Sequence, residues 1–261
     1  MLFEAFAAVL SGALSGFVLG LIGGGGSVLA TPLLLYFVGV ASPHVALGTG
    51  ALAVSLNAFA NLAGHARKGH VLWRCAFVFS AFGMVGAFLG STLGKLIDGD
   101  ALLFLFGLAM VAVGASMLRP RKLMPGERPP ITRGSCYRAA AMAVLTGAAS
   151  GFFGIGGGFL IVPALILATG MATINAVGTS LMAVGVFGLT TAANYAVSGL
   201  IDWGVAAEFL AGGLGGGLVG LSLASRLSAN KDALNRVFAA VVFIVAAYVI
   251  YRAGGALFAP G

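Results

Sequence analysis

The chain has 261 residues, of which 60% are hydrophobic and 8% charged, with a formal net charge of +7. So little polar surface cannot cover a water-soluble globule of this length, so the solvent for most of the chain is lipid. Hydrocarbon offers no partner to an unpaired amide, which admits only helices or closed barrels, and long unbroken apolar runs select helices.

Ten apolar segments follow in chain order, near residues 2–21, 28–39, 45–66, 75–93, 102–118, 138–153, 159–169, 175–197, 205–223 and 234–251. The first follows a start with Glu4 and no Lys or Arg, unlike a cleaved secretory signal, so it is expected to be retained. The second and seventh hold about a dozen residues where a crossing needs about 20, so half-helices or re-entrant pieces are expected there. The reading is an all-α integral membrane protein, a polytopic helical bundle with about 8–10 membrane segments. Between the fifth and sixth segments lies the only long polar stretch, residues 119–138, with six Arg or Lys against Glu127. Much of the net charge sits there as a loop beside membrane spans, so nucleic acid is not implied.

The chain repeats itself. Residues 14–34 and 145–165 align without a gap at an offset of 131, with nine of 21 positions identical, among them Gly16/Gly147, Gly20/Gly151, Gly23/Gly154 and Pro32/Pro163. At an offset of 130 the register pairs Gly48-Thr49 with Gly178-Thr179, Gly69 with Gly199, Trp73 with Trp203, and Gly83, Gly86 and Gly90 with Gly213, Gly216 and Gly220. Shared greasiness explains matching Leu and Ala but not ordered Gly, Pro and Trp. The expected organisation is a first transmembrane repeat at 1–118, a basic cytoplasmic linker at 119–138 and a second repeat at 139–261.

Charge orients the repeats. Arg67, Lys68 and Arg74 mark one loop as cytoplasmic, and so do the basic residues of 119–138 two segments later. The counterpart of the first loop, residues 198–204, has Asp202 and no basic residue, while Arg226, Lys231 and Arg236 place the next loop in the cytoplasm. Corresponding loops that face opposite sides require an odd number of crossings per half, which gives two inverted-topology repeats, an arrangement that secondary transporters use to build two similar gates.

Candidate binding residues come first from the glycine clusters. Gly23, Gly24, Gly25, Gly26 and Ser27 in one half, and Gly156, Gly157 and Gly158 in the other, each precede a short segment with a proline. Each cluster is expected to break its helix inside the membrane, where the restarting N-terminus offers N–H groups and a positive dipole end to an anion. A lone glycine reads equally as a packing residue, and Gly86, Gly90 and Gly94, with Gly212, Gly216 and Gly220, fall on single helix faces as small-xxx-small contacts. A second set lies on polar stripes: Asn57, Asn61 and His65 every four residues, and Ser180, Thr191, Asn194 and Tyr195 on the matching helix. Thr49 and Thr179 of the aligned Gly-Thr pairs complete the set. Stripes of amides and hydroxyls serve either a substrate path or interhelical hydrogen bonds.

No Arg or Lys lies deep in an apolar segment, so an anion would be held by amides, dipoles and hydroxyls, weakly enough to be released. His65 and Glu208 are candidates for a coupling proton, with a solvated structural role as the alternative, since both sit near helix ends. Cys75 and Cys136, far apart in sequence, read as free thiols. His44, His65 and His70 lack metal-ligand spacing, no Gly-Lys-Ser/Thr follows either glycine cluster, and no catalytic constellation is present, so no metal, cofactor or enzymatic activity is expected.

The glycine-rich turns at 20–27 and 151–158, each followed by a proline, and the pairs Gly48-Thr49 and Gly178-Thr179 resemble those of the TauE/SafE sulfite exporter family over both halves. That resemblance implies a multi-pass permease of the bacterial inner membrane that exports sulfite, sulfonates or related small anions. The half-sites differ, since Ile155 stands at the Gly24 position and Gly158 at that of Ser27. The expected function is a secondary transporter of small anions working by alternating access, with an anion channel or a non-transporting scaffold as alternatives. A homo-oligomer is left open.

Overall fold

A computed structural model of the protein describes residues 2–22, 26–118, 133–154, 158–226 and 231–258. Every regular element among them is helical: α1 (Leu2–Ile22), α2 (Ser27–Pro32, continued by a π-helical stretch Leu33–Val38), α3 (Pro43–Arg67), α4 (Trp73–Leu96), α5 (Gly99–Leu118), α6 (Arg133–Phe152), α7 (Gly158–Thr169), α8 (Thr173–Val197), α9 (Trp203–Arg226) and α10 (Lys231–Phe258). These are the ten segments expected from sequence. Both short ones are short in fact, with 12 residues in Gly158–Thr169 and an apolar stretch of Ser27–Val38. Pro32 lacks the N–H that would close a regular turn, and the helix widens to π geometry directly after it before Gly39 ends it at φ 87°.

By length and composition, Phe3–Leu21, Pro43–Arg67, Trp73–Leu96, Ile174–Val197 and Trp203–Leu223 are long and apolar enough to cross a membrane. The protein is a polytopic helical membrane protein. Phe77, Phe88, Leu89 and Leu93 on α4 and Leu218 and Val219 on α9 are exposed, as a lipid-facing surface requires.

Packing sorts six long helices into two sets. In one, α1, α3 and α9 run parallel: Gly16 meets the Gly213 backbone and Gly20 that of Gly217, while Asn57 and Asn61 of α3 reach Gly213 and Gly217. In the other, α4, α6 and α8 run parallel: Gly147 meets Gly83, Gly151 meets Ala87, and Phe187 of α8 reaches Gly83. Helix α3 crosses α8 antiparallel, with Ser55 against Gly188 and Phe59 against Gly185, and these two helices are the most buried of the candidate spans. α5 and α10 pair antiparallel alongside, with Gly107 against Ile250 and Gly114 against Phe243. The glycine faces let backbones approach to a distance that a Cβ would forbid, which is how membrane helices gain dispersion energy where lipid supplies no hydrophobic drive.

Cys75 is disulfide-bonded, a correction to the free thiol expected from sequence. Sequence separation conceals the cause. The parallel register that sets Gly86 against Val144 and Gly90 against Ala148 carries Cys75 to the level of the start of α6. The side chain of Cys136 lies outside the described residues.

Candidate functional site

The expected site residues fall into four places. Gly23, Gly24, Gly25, Gly156 and Gly157 lie outside the described residues, as does most of the linker, residues 119–132. The chain is helical before and after both glycine clusters and starts a new helix after each. Ser15 donates to the carbonyl oxygen of Gly26 at 2.9 Å, and Gly26 packs against Leu19, so the chain folds back along α1 before α2 begins, with Ser27 fully buried. Across the molecule, Gly158 opens α7. Val28 and Leu29, just after the first cluster, share a hydrophobic cluster with Phe153 and Leu160, which flank the second. Residues that flank the two clusters, about 130 positions apart in the chain, therefore share one core, closed from the side by Phe106, Met110, Val242 and Ala246 of α5 and α10.

Asn57, Asn61 and His65 form a seam of α3 against α1 and α9, all three at most 5% exposed. Asn61 Nδ2 donates to the Asn57 carbonyl at 2.9 Å, Asn57 Oδ1 has no partner, and the ring of His65 faces the Gly20 backbone of α1. Any side chain at Gly213 or Gly217 would collide with these amides, so the small residues of α9 make room for the seam.

Thr191, Asn194 and Tyr195 do not join that seam. Because α3 and α8 are antiparallel, Asn61 and Thr191 diverge from the crossing in opposite directions, about 13 Å apart along the axis at 1.5 Å per residue. Thr191 is buried with its hydroxyl unpartnered, and Ser180 donates to the Val177 carbonyl at 2.8 Å. Asn194 faces α4, where Nδ2 donates to Ser91 Oγ at 2.7 Å and Thr92 Oγ1 at 3.0 Å. Tyr195 is buried beside His44, ring centroids 6.3 Å apart, with its hydroxyl unpartnered.

Sequence reading missed Lys95. Its Nζ donates to Asn194 Oδ1 at 2.8 Å, to the Asn194 carbonyl at 3.0 Å and to Ser198 Oγ at 2.9 Å, and stands 6.0 Å from the Tyr195 ring centre. The cue was present, a lone basic residue in the last turn of an apolar helix, where a cation also meets the negative dipole end. Lys95→Met is expected to lower thermal stability by about 1 kcal/mol, since the bonds are charge-assisted but half in solvent. A melting curve of purified protein in detergent checks it. Thr31 was also missed: buried and unpartnered beside Gly50, it aligns with Val162, so comparing the halves gave no sign of it.

Thr49 and Thr179 sit at opposite ends of the α3–α8 pair in matching contacts. The N–H of Asp202 donates to Thr49 Oγ1 at 2.9 Å, and the N–H of Leu72 donates to Thr179 Oγ1 at 3.0 Å. Beside each, the preceding glycine admits a carbonyl of the same loop, Leu200 against Gly48 and His70 against Gly178. Each Gly-Thr pair is thus a clasp. Glycine makes room for the carbonyl, threonine supplies the acceptor, and every residue of one clasp stands 130 positions from its counterpart in the other. Asn, Thr and amide groups at this depth can hydrogen-bond a small polar solute, and the described residues bring no group of three or more metal-ligating side chains together.

An all-helical multi-pass bundle with paired glycine clusters and buried polar seams suits a membrane transporter. The sequence profile of the TauE/SafE sulfite exporters matches residues 8–249, and the chain belongs to that family. It is 60% identical over 95% of its length to a probable membrane transporter protein of Xylella fastidiosa strain 9a5c, covering 96% of that protein. It is also 25% identical to the probable membrane transporter protein YunE of Bacillus subtilis, over 94% of this chain and 96% of that one. No solved structure matches it.

Proposed function

We propose that this protein exports small anions such as sulfite or sulfonates across a bacterial inner membrane, as a secondary transporter built of two inverted repeats, residues 1–118 and 139–261. In this reading the linker 119–138 and the loop with Arg67 and Lys68 are cytoplasmic, so the Thr179 clasp closes the inner end and the Thr49 clasp the outer end. The observation that carries the reading is the pair of clasps, with equivalent residues in equivalent bonds at opposite ends. Two such gates are what alternating access requires and what an open pore lacks. That residues flanking both glycine clusters share one core supports an anion site lined by Gly23, Gly24, Gly25, Gly26 and Ser27 with Gly156, Gly157 and Gly158. Asn57 and Asn61 extend the path toward the cytoplasm.

The test is flux of radiolabelled sulfite into proteoliposomes, with sulfate, thiosulfate and short sulfonates as competitors, with and without a pH gradient. Saturable, competed flux is expected. No flux of any of these anions from folded protein would overturn the substrate class. In the same assay Asn61→Leu is expected to weaken apparent affinity about fivefold, the loss of one neutral hydrogen-bonding group worth roughly 1 kcal/mol. An unchanged affinity would make Asn61 a packing residue.

A further inference from the structure

His65 ends the α3 seam at 1% exposure, and its ring faces the backbone of Gly20 on α1, with no side-chain hydrogen-bond partner among the described residues. That backbone can satisfy one of the two ring nitrogens, and leaving the other buried and unpaired costs about 1–3 kcal/mol, a cost that packing alone gives no reason to carry. The ring of His70 stands 5.8 Å from it, and Nδ1 of His70 is likewise buried without a partner. His70 is also part of the inner clasp. Its N–H donates to the His65 carbonyl at 3.1 Å, its carbonyl abuts Gly178, and Leu72, two residues on, donates to Thr179. The imidazole pair and the clasp are therefore one piece of structure. At the outer end the position equivalent to His65 is Tyr195, a phenol with an ordinary pKa near 10 that takes up no proton near neutral pH.

We infer that the His65–His70 pair binds one proton and that this proton opens the inner clasp. The inference rests on the carrier reading above and names its coupling ion. Two imidazolium charges at this separation repel, so the pair has room for one. The groups around it are basic or neutral. Lys68 acts on His65 together with His70, Arg67 is on the same turn, and Arg74 is the second residue of α4. The inner half of α8 has no titratable residue, and α1 and α9 present the Gly20 backbone and Leu221. The acids of α1 and α9, Glu4 and Glu208, lie toward the outer end, about 20 Å along the axes; Arg226 ends α9 a turn beyond Leu221. With no carboxylate among the described residues to hold it, a charged ring here is drawn to water, and the near outlet is the loop at 68–72. Movement that way takes His70 and Leu72 from α8 and frees Thr179.

Val71, at 8% exposure in the closed clasp, serves as the reporter. Val71→Cys in inside-out vesicles is labelled with a membrane-impermeant maleimide. Rates are normalised at each pH to the same cysteine in denatured protein, and the chain without the reporter is the blank for its own cysteines. Normalised labelling is expected to rise at least about fivefold from about pH 8 to about pH 5, the range in which imidazole titrates. It should be flat in His65→Gln and fast at every pH in Thr179→Val. Labelling independent of pH with both histidines present, or pH dependence that survives both His65→Gln and His70→Gln, would overturn the switch. Sulfite counterflow in the same vesicles separates the two readings: switching without counterflow overturns the substrate and leaves the switch standing.

Discussion

Gly16→Leu is expected to abolish folded protein in the membrane, while Gly215→Leu leaves it unchanged. At Gly16 an added Cβ would collide with the backbone of Gly213, and a backbone inside a glycine ladder cannot yield as a flexible side chain would. The neighbouring contacts of Gly12 with Phe209 and of Gly216 with Ala13 hold the same two helices at the same distance, so separation at one rung strains the others. Overpacking costs about 3 kcal/mol or more where the surroundings cannot move, a large share of a marginal stability. Gly215 is on α9 as well, but a Cβ there meets nothing within 4 Å, so it separates loss of packing from loss of glycine itself. The measurement is the yield of monodisperse protein in detergent with its thermal midpoint. Gly147→Leu, which meets Gly83 between α4 and α6, should behave as Gly16→Leu does. Normal yield from either buried variant would show that the ladders are loose.

The ten helices were legible because a membrane segment announces itself by length and hydropathy, and the glycine faces because a period of four residues marks one side of a helix. What that face meets was not legible. Periodicity assigns Gly212, Gly216 and Gly220 to one side of α9, yet nothing local says that α1, some 200 residues away, fills it. The Gly48-Thr49 and Gly178-Thr179 pairs stood out as a repeated pattern, but their clasp role depends on loops brought in from the other half. Aligning the polar stripes suggested one site, whereas antiparallel α3 and α8 carry aligned residues such as Asn61 and Thr191 apart. Cys75 failed for the same reason as the ladders, because a register between distant helices is a tertiary fact.

On the alternating-access reading proposed above, Thr49→Val and Thr179→Val are expected to shift the protein in opposite directions. Valine matches threonine in shape but accepts no hydrogen bond, so the first leaves the N–H of Asp202 unpaired and the second that of Leu72. Both bonds are only partly buried, so losing one costs about 1 kcal/mol, and the cost falls only on the state in which that clasp is closed. Each substitution should therefore favour opening of its own end by about fivefold. Thr49→Val should make the outer loop near Asp202 more accessible and the inner loop near Leu72 less so, and Thr179→Val the reverse. Cysteine accessibility at the two loops, measured from both sides of oriented vesicles, reads this directly. Sulfite exchange should slow in both variants, because a carrier biased to either side spends less time crossing between states. Restoration of balance in the double variant would be the strongest outcome, since two independent structural hydrogen bonds would add their damage, whereas two gates on one equilibrium offset each other. Equal loss of stability without any change in sidedness would make the clasps simple interhelical ties and remove the main support for alternating access.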